Sequence, residues 1–327
     1  MTALNRLKQL LFPLLAIGLL FSACTSMGAK TIPMAELEKK YFYNNSKWIE
    51  VDGLKVHYID EGSGPVLVLL HGVCASLHTW DGWAKELKGQ YRIIRFDNMG
   101  FGLTGPSKNP RYEIDNYIRF LDKFTTALKL KHFTLVGNSL GGYISWNYAL
   151  AFPEKVDKML LIDSVGYKQE VPGLMKLACF PLMRPIVRHM MPRYFLDKAV
   201  KEVYGDKTRV TPELQARYFE LAMREGNKDA WVDIFMVMKA QSQSKTLSVK
   251  IKDLTVPTMV MWGSKDEWVP VSQVENWKKD LPSARYTIFE TTGHVGMEEL
   301  PVETAREARL FFEGKESGTL KEIITEK

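Results

Sequence analysis

Gly137-Asn138-Ser139-Leu140-Gly141 sets a serine between two tightly spaced glycines, directly after the apolar run Phe133 to Val136. A G-x-S-x-G pattern in that setting describes a sharp strand-to-helix turn that holds a hydroxyl out as a nucleophile. It also describes an ordinary glycine-rich turn, so other residues must supply what the chemistry needs. A serine hydroxyl is a poor nucleophile until a histidine takes its proton and a carboxylate orients that histidine. In a strand–helix sheet the order along the chain is serine, then acid, then histidine. Of the six histidines, only His189 and His294 follow Ser139. His189 lies in a Met-rich stretch without strands, whereas His294 sits just past a strand ending at Phe289, where such sheets place their chemistry.

The acid is expected on a comparable loop. Asp266 lies just beyond a strand ending at Trp262, with Glu267 beside it, and Asp163 ends the strand that follows the serine helix. Asp266 is the expected partner of His294, with Asp163 and Glu267 as the alternatives. An oxyanion hole then needs two backbone N–H groups aimed where negative charge develops. One belongs to Leu140, at a helix N-terminus that favours anions. The second is assigned to Val73, in the loop His71-Gly72-Val73 that follows the apolar run Pro65 to Leu70. His71 is expected to shape this loop rather than move protons, and Cys74 to be a small residue near the pocket.

The elements that would hold these groups follow from periodicity. Lys47 to Val51 and Leu54 to Ile59 flank Asp52-Gly53, a strong hairpin signal. "PVLVLL" (65–70) is a continuous apolar run, as expected of a strand buried on both faces. Further strands are expected at Tyr91 to Phe96, Phe133 to Val136, Met159 to Ile162, Thr258 to Trp262 and Tyr286 to Phe289. Helical spacing covers Ile114 to Leu128, Leu140 to Phe152, Val271 to Leu281 and Val302 to Phe312. Alternating strands and helices imply an α/β fold, a mostly parallel sheet with helices on both faces. The alternation breaks between about Gly166 and Lys250, a stretch rich in Met, Phe and Leu that reads as an inserted helical lid. The expected organisation is thus a core over 47–166 and 251–314, a helical cap over 167–250 and a tail over 315–327.

Composition narrows the class of partner. The chain has 327 residues, 46% hydrophobic and 25% charged, with a net charge of +6. Lys and Arg are interspersed with Asp and Glu, so no basic stripe suggests nucleic acid. The N-terminus differs: Arg6 and Lys8 precede the apolar run Leu10 to Phe21, a pattern of export signals. Phe21-Ser22-Ala23-Cys24 ends it and resembles the bacterial lipoprotein signal, which is cut before a lipidated cysteine. That signal usually has Leu where this chain has Phe21, and an ordinary secretory signal is the alternative. The resemblance implies a signal peptide over 1–23, lipidation of Cys24, a tether over 24–46, and a membrane-anchored protein of the bacterial envelope. Cys74 and Cys179 are then too few for a disulfide framework and lack metal-ligand spacing.

"HGVCAS", "RFDNMGFGLTGPS", "GNSLGG", "WGSKDEWVP" and "GHVGMEELP" occur in order and at sensible spacing. Together they resemble the α/β-hydrolase superfamily in its lidded form. The resemblance implies a serine esterase or lipase acting on a small-molecule or lipid ester through Ser139, Asp266 and His294, with no metal or organic cofactor. A carbon–carbon bond hydrolase or an amidase on the same triad is the alternative. Carbon–carbon hydrolases generally carry Gly-Pro-Gly where this chain has Val73-Cys74-Ala75. A catalytically silent, membrane-tethered binding protein is the reading from another class, against which the complete triad speaks. "GFGLTG" (100–105) matches a dinucleotide fingerprint, but Pro106 and Pro110 follow it where a helix should open.

Overall fold

The computed structural model describes residues 27–109, 111–244 and 246–316. The expected signal peptide, Cys24 and the last eleven residues of the expected tail (317–327) lie outside them. One eight-stranded sheet organises the rest, in the order β1-β2-β4-β3-β5-β6-β7-β8. Its strands are β1 (Ser46–Val51), β2 (Leu54–Gly62), β3 (Val66–Leu70), β4 (Arg92–Phe96), β5 (Phe133–Asn138), β6 (Val156–Ile162), β7 (Thr258–Gly263) and β8 (Arg285–Phe289). β1 pairs antiparallel with β2, and β2 antiparallel with β4. Every later pairing is parallel.

The local reasons match the sequence. Asp52 and Gly53 both take positive φ, 51° and 74°, the turn whose twist suits a two-residue hairpin. All residues of β5 and β7 are buried, so both faces of the central sheet are covered and their strands need no polar alternation.

Helices in chain order are α1 (Met34–Tyr41), α2 (Asp81–Leu87), α3 (Ile114–Ala127), α4 (Leu140–Ala151), α5 (Gly173–Cys179), α6 (Arg184–His189), α7 (Arg193–Glu202), α8 (Pro212–Ala222), α9 (Asn227–Ser242), α10 (Gln273–Asp280), α11 (Gly296–Glu299) and α12 (Pro301–Phe312). α2 packs on α12, and α3 on α4. α5 to α9 occupy the interval between β6 and β7, and pack mainly on one another. No described helix is long and apolar enough to cross a membrane.

One expectation needs correcting. The stretch expected as a tether (24–46) is docked from Gly28 onward, where Lys228 Nζ donates to Gly28 O at 2.6 Å. α1 buries Leu37 and Tyr41 against Leu103 of the core and Leu221 of the cap. Ile32 N donates to Met223 O at 2.9 Å, and Tyr41 OH donates to Glu220 Oε2 at 2.7 Å. Leu37 and Tyr41 are four residues apart, which places them on one helical face. Two apolar residues among charged ones give little periodicity, and their partners lie far along the chain. Helix α2 leaves no clear periodicity in the sequence either, because seven residues are too few for a repeat.

Candidate active site

Ser139 stands at the junction of β5 and α4, with φ 54° and ψ −114°. A non-glycine residue held there stores strain, and such strain gathers at functional sites. The glycines around it make the junction close enough. A Cβ at Gly141 would run into the Leu70 carbonyl of β3, and one at Gly137 into the backbone of Gly141. Leu140 is the first residue of α4, so its N–H has no partner inside the helix. The loop after β3 comes up against the serine: a Cβ at Gly72 would lie 3.0 Å from Ser139 Cβ.

His294 and Asp266 meet across 2.7 Å, Nδ1 to Oδ2. Asp266 is fixed by its own turn, since Oδ1 accepts from Trp268 N at 2.7 Å and from Val269 N at 2.9 Å. With Nδ1–H donating to the carboxylate, Nε2 keeps its lone pair. Nε2 is buried and has no hydrogen-bond partner. The histidine loop is tied down on two sides. Asn138 Nδ2 donates to His294 O at 2.8 Å, and His294 N donates to Val203 O of the cap at 2.8 Å.

Asp163, the competing acid, lies in the same cluster. Its backbone also takes a positive φ, 47°, and Oδ1 accepts from Gly263 N at 2.9 Å. Burial and then the neighbouring Asp266 carboxylate push its pKa well above the usual carboxylate range. Ligand atoms of Asp163, Asp266 and His294 lie within 4.8 Å of one another. Among the described residues these are the three that could hold a metal ion, but His294 Nδ1 and Asp266 Oδ2 already bond each other. Glu267 is elsewhere: it pairs with Lys207 at the surface, 2.9 Å away.

Supporting residues explain the loop geometry. His71 Nδ1–H donates to Gly72 O at 2.7 Å, and its Nε2 accepts from Asn98 N at 2.9 Å. Burial lowers its pKa, so the ring is neutral and acts as a brace. Asp97 accepts from Leu77 N and Leu103 N, and pairs with His57 at 2.8 Å. It thereby knots the "GFGLTG" segment, in which Phe101 bridges Gly105 and no helix opens before α3. Cys74 and Cys179 are free and buried. Burial raises the Cys74 thiol pKa, so it is a protonated wall residue rather than a nucleophile.

Sequence reasoning missed Glu299. Its carboxylate, 3% exposed, accepts from Gly205 N and Asp206 N of the cap and from Gly293 N beside the histidine. It stands in the quoted "GHVGMEELP", yet nothing in that string says what it reaches.

Two cavities open beside the serine. One is lined by Ser139, His294, Val165, Met175, Met238 and Gln241 among others. The other is lined by Val73, Cys74, Leu196, Val200, Tyr218 and His294 among others. They share His294 and Trp268. Among the described residues, no Arg, Lys, Asp or Glu lines either one.

A family model described as alpha/beta hydrolase fold matches residues 65–301. The chain belongs to this family. It is 25% identical over 248 residues to a 2-hydroxy-6-oxo-2,4-heptadienoate hydrolase of Pseudomonas putida, covering 74% of this chain and 87% of that one. It is 26% identical over 328 residues to Lipase 3 of Moraxella sp. (strain TA144), covering 92% of this chain and 98% of the lipase. Among solved structures, a meta-cleavage product hydrolase from Pseudomonas fluorescens IP01 superposes with a TM-score of 0.72 at 25% identity. That match covers 82% of this chain and 97% of the other. The hydrolase family is thus shared by enzymes that the names describe as lipases and as meta-cleavage product hydrolases.

Proposed function

We propose that this hydrolase cleaves carboxylic esters with apolar groups, by an acyl-enzyme route. Ser139 Oγ attacks the ester carbonyl while His294 Nε2 takes its proton, and Asp266 holds the resulting imidazolium. The N–H groups of Val73 and Leu140 stabilise the tetrahedral oxyanion. His294 then protonates the leaving alkoxide, and water releases the acyl group by the same steps in reverse. In the same reading Cys24 is lipidated and holds the exported protein at a membrane.

The observation that carries the ester reading is the lining of the two cavities. Both are largely apolar, and among the described residues no Arg or Lys lines either of them. An uncharged ester can place apolar acyl and alkyl groups in them. A dienoate, which the carbon–carbon hydrolase relative is named for, would bring a carboxylate there. An ionised group without a counter-charge is costly to bury. The near full-length match to a lipase supports the same choice.

The test uses p-nitrophenyl esters of increasing acyl length, a 2-hydroxy-6-oxo-dienoate and a fluorophosphonate probe. Ester hydrolysis and probe labelling are expected, both abolished in Ser139→Ala with the melting temperature nearly unchanged. Faster turnover of the dienoate than of any ester would favour the carbon–carbon reading. Undiminished hydrolysis by purified Ser139→Ala would refute the mechanism.

A further inference from the structure

Large exposed apolar side chains on this protein are unevenly spread. Nine are exposed among the described residues, and five of them fall between 180 and 195: Phe180, Leu182, Ile186, Tyr194 and Phe195. Leu182 is 75% exposed and Tyr194 70%. This segment holds α6 and the first residues of α7. Its inward neighbours have a different job, since Met175 of α5 lines one cavity and Leu196 of α7 the other. The exposed side chains therefore belong to the outside of a cap whose inside covers the candidate active site. Concentrated apolar exposure of this kind marks a surface that meets a partner or a membrane.

The N-terminal chain shows which. Met191 N donates to Gly28 O at 3.4 Å, and Lys228 Nζ donates both to Gly28 O at 2.6 Å and to His189 O at 3.0 Å. The N-terminal segment thus passes directly beside this patch, and Met27, 39% exposed, adds a sixth apolar side chain there. Cys24 is four residues before Gly28, and the apolar run Leu10 to Phe21 comes just before it. Four residues span at most about 14 Å when fully extended. Whatever holds that end in a membrane brings the outer face of the cap to the same surface.

We infer that residues 180–195 form a membrane-docking face, whose apolar side chains enter a phospholipid bilayer next to the N-terminal anchor. The basic residues of the segment fit an interfacial position, with long stems beside apolar groups and charged heads at the water boundary. Their heads are largely engaged within the protein. Arg184 donates to Cys179 O, Arg188 pairs with Asp229 and Asp233, and Arg193 pairs with Asp197. Apolar insertion, rather than net charge, is then the attraction, and the contact should survive high salt. The cap would separate the bilayer from the two cavities, so an ester dissolved in the membrane would meet the cap first.

The inference takes its direction from the anchoring part of the proposed function and is independent of ester hydrolysis. Full-length Leu182→Cys carrying an NBD label is reconstituted in vesicles of phosphatidylethanolamine and phosphatidylglycerol containing doxyl-labelled lipid. The native Cys74 and Cys179 are buried. Gly89→Cys is the control, because Gly89 is exposed and precedes β4, at the strand ends opposite the serine. A blue-shifted, doxyl-quenched probe at Leu182 and an unquenched one at Gly89 are expected, in low and high salt alike. Equal, unquenched emission from both probes in vesicle-bound protein would overturn the inference, as would loss of the Leu182 quenching in salt. Protein that does not associate on reconstitution would refute the anchor instead. Excess vesicles then decide the docking face: quenching at Leu182 supports it, and none overturns it.

Discussion

Asp163 and Asp266 bring two buried carboxyl groups to one imidazole. They come from neighbouring parallel strands, paired as far as Ile162 with Met261, so residues just past both strand ends converge. Two adjacent carboxylates in a buried site do not both ionise readily. Asp266 accepts two backbone N–H groups and pairs with the His294 ring. Asp163 accepts one, and is the one that stays protonated.

This arrangement separates the two acids experimentally. Asp266→Asn is expected to preserve folding and lower the acylation rate by up to about four orders of magnitude, since amidation favours the wrong imidazole tautomer. Asp163→Asn should keep most of the activity, because its amide oxygen can still accept from Gly263 N. Single-turnover acylation by the two variants measures this. The reverse order of losses would exchange their roles.

Much of this site was legible in the sequence because its parts are local. A strand followed by a loop is visible in a few residues, and Ser139, Asp266 and His294 each follow an apolar run of strand length. The structure adds what depends on contacts between distant segments. Asp163 and Asp266 lie 103 residues apart, and the β6–β7 pairing makes them neighbours. α1 looked like a tether because its apolar partners, Leu103 and Leu221, lie elsewhere in the chain. The cap appeared as a break in the strand–helix alternation, but its hold on the histidine loop, through Val203 and Glu299, left no local pattern.

A pH dependence follows from His78, which is buried with Nε2–H donating to Tyr41 O at 2.9 Å and Nδ1 accepting from Ser76 Oγ at 3.0 Å. Burial lowers its pKa from 6.5 to about 4. The unfolded chain binds a proton first as pH falls, so the folded state loses stability between pH 6.5 and about 4, and no more below that. The loss amounts to about 3 kcal/mol, at 1.36 kcal/mol per pKa unit. Denaturant unfolding from pH 7 to pH 4 should show this slope, and His78→Gln should flatten it. An equal slope in that variant would place the titration elsewhere.

Gly141 offers a test of the serine turn by crowding. Its Cβ would meet the Leu70 carbonyl, a backbone atom inside the parallel sheet, and so one with little freedom to shift. Gly141→Ala is expected to cost about 3 kcal/mol, at the upper end for overpacking, and to lower activity by moving Ser139. Wild-type melting temperature and turnover together would mean that β3 and α4 separate more easily than their packing implies.

Glu299 makes the position of His294 depend on the cap. Oε1 accepts from Asp206 N at 2.7 Å, while Oε2 accepts from Gly205 N at 3.0 Å and Gly293 N at 2.9 Å. Glu299→Gln keeps the size but gives one of these positions an NH2 group, which cannot accept. At least one buried N–H then loses its partner, at about 1–3 kcal/mol for each such group. If Gln turns its oxygen toward Gly205 and Gly293, the cap loses Asp206 alone and the histidine loop stays in place. If it turns the other way, Gly293 is released and His294 loses part of its support. The first outcome lowers the melting temperature with kcat intact, and the second lowers both. Parallel measurement of kcat on a soluble ester and of thermal unfolding distinguishes them. A variant unchanged in both would show that Val203 and Asn138 hold the histidine loop without Glu299.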